Sequence, residues 1–475
     1  MENSMVTRRS FLAGACSTAL LPFVAGQSKV FARDLPPKRI FVFVTNAKRR
    51  HSISAPLSWG IEANTSSASN TVVVDPAHQY QSVLGFGAAF TDASCYLLRS
   101  MKEGPRQGLM DDLFSPQKMN LSAGRCCVGS SDYSRHVYSY DDVKDDVTLK
   151  YFSIAHDEEY ILPSLRDARS INPGLFLLAS PWSPPGWMKT YGSMLGGWMS
   201  EKYLGTYAHY LNDFLTDYAK AGVHIDAITS QNEVETDQEG RMPACYWTPE
   251  MEEVFVRDHL GPLLRKEQKN TQIWLLDHNY NLWKRVSWQM RDPELRKYVD
   301  GVAWHGYAGT PEMMGLLHDE LPDLPFYWTE GGPDITDPDY ATEWTRWGQT
   351  ITKVLRNWCR SVIAWNLLLD DHGRPNIGPF SCGGLVTLHA NGQMTHSGQY
   401  WAMRHFSQHV RRGAKRISSE GIADHLAHVA FRNMDGTYVL VLTNMAGDRE
   451  VTVKTGDASV RVTMEQNSIT TLTWS

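Results

Sequence analysis

The chain has 475 residues, 42% of them hydrophobic and 21% charged, with a formal net charge of −6. This is enough apolar sequence for one large core or two moderate ones, so no staples are needed to fold it. The acidic balance argues against nucleic acid and anionic membranes as partners, and no apolar run after residue 32 is long enough for a transmembrane segment.

Residues 1–32 read as an export signal. Arg8-Arg9 followed by Ser10-Phe11-Leu12 opens a short apolar, small-residue stretch that runs to about Gly26, and Val30-Phe31-Ala32 offers a cleavage site. The twin arginine points to the Tat route, hence to a periplasmic or secreted protein. The signal carries Glu2 against Arg8, Arg9 and Lys29, a net +2, which leaves −8 on the mature chain. Six cysteines remain: Cys95, Cys126, Cys127, Cys245, Cys359 and Cys382. None forms a CxxC pair, so a zinc site built on them is not expected; their disulfide state is open.

Residues 33–78 contain short β-like runs at 40–45 and 71–74. Residues 396–475 behave alike, with runs at 427–432, 438–443, 451–454, 459–463 and 468–474 separated by Gly, Asn and Asp turns. Such spacing predicts a β-sandwich side domain assembled from both chain ends. Between them, residues 79–395 alternate. Strands are predicted at 85–90, 122–129, 175–180, 227–231, 272–276, 301–305, 326–329 and 361–366, with helix-like stretches such as 203–221 and 251–265 between most of them. Eight strands with interleaved helices over some 300 residues predict an α/β fold, a (β/α)8 TIM barrel.

Polar and aromatic groups gather at the C-terminal ends of these strands: Asp132, Trp182, Asn232-Glu233, His305-Gly306-Tyr307, Glu330 and Trp365-Asn366. Barrel enzymes carry their chemistry on that face. Gly85-Phe86-Gly87 lacks the third glycine of a dinucleotide turn, which removes the doubly wound alternative. Glu233 and Glu330 follow the fourth and seventh strands, whose ends can face each other across the barrel mouth. Glycoside cleavage needs two carboxyl groups about one anomeric carbon, one to protonate the departing oxygen and one to attack. Glu233, beside Asn232, reads as the general acid/base. Glu330, followed by Gly331-Gly332 that would leave room for a sugar, reads as the nucleophile, with Arg125 and Tyr307 placed to hydrogen-bond it.

The motifs Gly85-Phe86-Gly87-Ala88-Ala89-Phe90-Thr91-Asp92, Ser131-Asp132-Tyr133-Ser134, Ala179-Ser180-Pro181-Trp182-Ser183-Pro184-Pro185, Gln231-Asn232-Glu233, Trp304-His305-Gly306-Tyr307, Thr329-Glu330 and Trp365-Asn366-Leu367 occur in one order. In this the sequence resembles glycoside hydrolase family 30, its glucocerebrosidase-like branch, over roughly residues 80–475. The resemblance implies a barrel with a β-sandwich, a retaining double displacement, no metal or organic cofactor, and a carbohydrate or glycoconjugate substrate. It implies substrate-binding roles for Asp132, Trp182, Asn232, Tyr307, Trp365 and Asn376, and supporting roles for Arg125 and His305. Gly306, Gly331-Gly332 and the segment 234–242 depart from that branch where an aglycone or second sugar would lie. The expected activity is hydrolysis of terminal β-linked glucose. A β-xylosidase and an endo-acting β-1,6-glucanase or xylanase are the alternatives, and a non-catalytic sugar-binding protein is the reading outside catalysis.

Overall fold

A computed structural model describes residues 39–61, 70–421 and 424–475; the export signal expected at 1–32 lies outside the described residues. Eight short apolar runs pair side by side, all parallel, into a closed barrel. They are β1 (Gly85–Phe90), β2 (Ala123–Val128), β3 (Phe176–Pro181), β4 (Ala227–Thr229), β5 (Gln272–Asn279), β6 (Gly301–His305), β7 (Phe326–Glu330) and β8 (Cys359–Ala364). β8 closes on β1 through Ser361–Gly85 and Val362–Phe86. Strands sandwiched between barrel interior and outer helices are buried on both faces, so they read as continuous apolar runs without alternation. β1, β2 and β3 are buried at every position. At Gly87 a side chain has no space, since a Cβ there would stand 1.7 Å from the Ala123 carbonyl oxygen.

Side chains two apart along a strand point the same way, so each strand fills the interior in layers. The lower layer is apolar: Phe176, Leu178, Ala227, Trp274, Ala303 and Tyr327 form one buried cluster, with Trp274 and Tyr327 stacked at 3.7 Å between ring centroids. Two residues on, the same strands turn polar, giving Ser180, Thr229, His305 and Thr329, all buried. The barrel floor is therefore a hydrophobic plug, and its mouth a polar cup resting on it.

Two irregularities shape that cup. Where β5 meets β6, Ala303 faces Leu276 and Trp304 faces His278, so Asp277 is one residue extra. Leu276 and Asp277 there take φ of 74° and 46°. Where β6 meets β7, Trp304 faces Trp328 and His305 faces Glu330, making Thr329 extra. A bulge re-aims the side chains beside it, and here each lets two consecutive residues reach the mouth.

Both chain ends build one ten-stranded sheet. Phe41–Thr45 pairs antiparallel with Ser468–Trp474, while Thr71–Ser82 lies between Lys415–Glu420 and Arg449–Thr455. Its core holds Val42, Val44, Val72, Ile417, Leu440, Leu442, Val453 and Trp474. Helix Trp344–Arg356 of the barrel packs on this sheet, close enough that a Cβ at Gly348 would meet Thr443 Oγ1 at 2.7 Å. The six cysteines of the described residues are all free thiols. No helix among the described residues is long and apolar enough to cross a membrane.

Candidate active site

Asp277 is the centre of the mouth. It is buried, and its carboxylate accepts hydrogen bonds from Arg125 Nη2 (2.7 Å), Ser180 Oγ (2.7 Å), Thr229 Oγ1 (2.8 Å), Thr329 Oγ1 (2.7 Å) and His305 Nε2 (2.9 Å). Against the cost of burial, Arg125 and His305 hold this carboxyl far below the usual carboxylate range. Donors from five neighbouring strands thus converge on one anion, which fixes the ring of strand ends around it.

Arg125 extends the network. Its Nη1 donates to Glu330 Oε2, its Nη2 also to Asn232 Oδ1 at 2.6 Å, and its Nε to Ser180 Oγ at 3.1 Å. The guanidinium lies 4.7 Å from the ring centroid of Trp182, which stacks on Trp365 at 5.0 Å. Tyr307 is 48% exposed overall, yet its hydroxyl reaches in to donate to Glu330 Oε1 at 3.0 Å.

Glu233 sits in the left-handed region, φ 53°, uncommon for a residue with a side chain and seen where surrounding structure imposes it. Its N–H is held by the Asp277 carbonyl at 2.9 Å. Its side chain contacts His305 Nδ1 at 3.3 Å and accepts from Gln238 Nε2 at 2.8 Å. Burial works to raise this carboxyl, but the His305 hydrogen bond and the charges of His278 and His305 bring it down to about 2. Glu330 moves the opposite way: burial raises it and the charge of Glu233 adds to the rise, against His305 and Arg125. His305 itself, despite burial, is pushed up to about 9 by Glu330, Asp277 and Glu233. Cationic His305 with ionised Glu233, and neutral His305 with protonated Glu233, contain the same protons. The contact between them therefore holds one transferable proton.

Asp132 is buried beside the pair, and one of its carboxylate oxygens has no hydrogen-bond partner. Burial, then the charges of Glu330 and Glu233, raise it well above its ordinary value. An unpartnered buried oxygen is costly unless a ligand satisfies it.

The family model for the glycosyl hydrolase family 30 TIM-barrel domain matches residues 83–410, and that for the family's β-sandwich domain matches residues 413–472. The chain belongs to glycoside hydrolase family 30. A putative glucosylceramidase 1 from Caenorhabditis elegans is 30% identical, covering 84% of this chain and 82% of its own. An endo-1,6-β-D-glucanase from Neurospora crassa is 31% identical over 84% of this chain and 86% of its own. The solved endo-β1,6-glucanase BT3312 superposes with a TM-score of 0.83 at 28% identity, covering 92% of this chain and 99% of that one.

In this family 30 hydrolase, Arg125, Asn232, Glu233, His305, Tyr307 and Glu330 meet in one network, with Trp182 and Trp365 against it. Asn376 stands apart: its amide donates to Phe380 O and accepts from Gly378 N, so it braces its own loop. That loop reaches the site through Ile377 N–H, which bonds the Asp132 carbonyl at 2.8 Å. One expectation is corrected. Gly331 does not leave room for a sugar, because a Cβ there would stand 2.3 Å from the Trp328 ring, and one at Gly306 would stand 2.8 Å from it. Both glycines make room for the indole of Trp328. Asp277, His278 and Gln238 were not foreseen. The rule that found the other residues, a polar group just past a strand's apolar run, also applies to Asp277-His278 after Leu275-Leu276.

Proposed function

We propose that the enzyme hydrolyses a β-D-glucosyl linkage with retention, Glu330 attacking the anomeric carbon and Glu233 serving as acid and then base. The observation that carries this reading is the unequal setting of two neighbouring carboxyl groups. Glu330 is gripped by a permanent cation and a hydroxyl, while Glu233 faces an imidazole with which it can share a proton. When Glu233 carries that proton its repulsion of Glu330 vanishes, and Arg125 with Tyr307 then favours the ionised nucleophile. Attack by Glu330 breaks the bond to the leaving oxygen as Glu233 protonates it. Glu233 next takes a proton from water, which displaces Glu330 from the sugar. With Asn232 Oδ1 engaged by Arg125, its NH2 is the end offered to a sugar hydroxyl, and the free oxygen of Asp132 accepts another. Trp182 and Trp365 supply the apolar wall.

Proton NMR of the reaction with an aryl β-glucoside is expected to show β-glucose before mutarotation; α-glucose as the first product would overturn the assignment. Names of relatives divide between glucosylceramidase and endo-1,6-glucanase, both pointing to a glucosyl group. Product analysis on β-1,6-linked gluco-oligosaccharides separates terminal from internal cleavage. Glucose alone in the early products supports the exo-acting reading, whereas a ladder of oligosaccharides supports the endo-acting one. A sugar-binding protein without chemistry would give neither.

Tat export to the periplasm or medium is proposed on Arg8-Arg9. Replacing both by lysine is expected to leave unprocessed precursor inside the cell, read by immunoblot of cell fractions. Normal processing of that variant would remove the proposal.

A further inference from the structure

The proposed hydrolysis uses Glu233 and His305 but gives no task to His278, which the β5 bulge turns into the same mouth. His278 is 7% exposed, and its Nδ1 is buried without a hydrogen-bond partner. It lies 3.8 Å from Glu233 Oε1, and His305 Nδ1 lies 3.3 Å from that oxygen. One ligand atom from each of the three residues falls within 4.8 Å of the other two. Donors bound at roughly 2.0–2.1 Å stand about 3.3 Å apart at tetrahedral angles, so the His305–Glu233 separation already fits and His278 stands 3.8 Å from the same oxygen.

We propose that Glu233, His278 and His305 form a binding site for a divalent transition-metal ion of the zinc or copper type, and that the ion arrests hydrolysis by occupying the Glu233 carboxylate. Two imidazoles and one carboxylate suit such ions, whereas magnesium and calcium prefer oxygen donors. The far nitrogen of His305 bonds Asp277 at 2.9 Å, the partner arrangement that orients a ligating histidine and strengthens it as a donor. All three ligands rise from strand ends or their immediate continuation, a rigid base for a metal. The mouth is rich in carboxylates as well, since Asp277 and Glu330 share the one Arg125 guanidinium and Glu233 adds a third acid close enough to repel Glu330. Metal binding stands independently of the proposed mechanism; only the arrest rests on the reading of Glu233 as acid/base.

A rival site must be separated from this one. In the side domain His51 Nε2 and His409 Nε2 are 3.1 Å apart, but the neighbouring His405 has both nitrogens engaged, by Thr471 and Thr45. That pair offers two donors and is the natural control.

The test is titration of the metal-free protein with Zn²⁺ alone, competed against a chromophoric chelator, with Co²⁺ absorption as a second readout of ligand geometry. One ion per chain is expected. His278→Ala and the isosteric Glu233→Gln should each weaken it more than about tenfold, since loss of even an outer partner costs that much. His409→Ala should leave it unchanged, with thermal unfolding confirming that each variant is folded. No stoichiometric binding in the wild type, undiminished binding in both site variants, or loss in His409→Ala would overturn the site. Zn²⁺ should also stop turnover of an aryl glucoside, with half-inhibition in His278→Ala needing more than about tenfold more ion. Bound zinc with undiminished turnover would overturn the arrest. Because binding is read without activity, failure of the metal site and failure of the catalytic assignment are told apart.

Discussion

Glu233→Ala is expected to slow hydrolysis of substrates with poor leaving groups by roughly 10²- to 10⁴-fold, the usual worth of a positioned general acid. An activated aryl glucoside departs without a proton, so its first step should be far less affected. The glycosyl-enzyme then accumulates, because Glu233 is also the base that readies water. Azide needs no base; it should restore turnover and yield a β-glucosyl azide. Glu330→Ala removes the attacking group, so both kinds of substrate should fail, and any azide product should be the α-anomer from direct displacement. Loss of activity alone would be uninformative, since both side chains belong to one hydrogen-bonded network. The anomeric configuration of the azide decides. An α-azide from the Glu233 variant with a β-azide from the Glu330 variant would exchange the roles, and absence of rescue in either would leave the roles unproven.

Asp277→Ala should be among the most destabilising single changes in the protein. It strips Arg125 and His305 of a common anion while leaving both buried, with Glu330 as the remaining carboxylate on Arg125, and it takes one acceptor from each of three hydroxyls. Removing one partner of a buried ion pair costs roughly 3–5 kcal/mol, and here Glu330 alone is left to balance Arg125 and His305. The measurement is the urea midpoint of unfolding. As a reference, Asp167→Ala breaks the half-exposed pair with Arg99 and should change stability by no more than about 1 kcal/mol. A midpoint for Asp277→Ala as close to wild type as that of Asp167→Ala would show that the converging donors are redundant.

The barrel was legible because parallel strands covered on both sides leave a plain trace: an apolar run that ends in polar residues. β6 was expected at 301–305 and is found there; β4 was expected to run to 231 and stops at Thr229, where Ser230 and Gln231 leave the ladder. Glu233, Glu330, Arg125 and Tyr307 were legible for the same reason, since each lies in or just past a strand. Asp277 and His278 also follow an apolar run, Leu275-Leu276, but nothing in their spacing shows that both side chains turn into the mouth. A bulge leaves no composition mark, and its two positive-φ residues, Leu276 and Asp277, are not types that announce such a backbone. Gly331 was misjudged because a glycine reports only that something comes close. Whether the neighbour is a ligand or an indole depends on a contact two strands wide, which sequence spacing does not encode.

The pairing of the chain's two ends has a consequence for biosynthesis. Strand Phe41–Thr45 pairs locally with Ser52–Ile53, but along its whole length its partner is Ser468–Trp474, with Phe41 opposite Thr473. The whole barrel, Gly85 to Ala364, lies between them. While the polypeptide is still on the ribosome the barrel strands can already have emerged, yet the side sheet lacks strand Ser468–Trp474, and the valines of 41–45 stay without that cover until it is made. A pairing of such long range is slow to form and leaves an unsatisfied strand edge in the meantime. The nascent chain is thus exposed to misassembly longest at the side sheet, and chaperone demand should persist after the barrel has been synthesised.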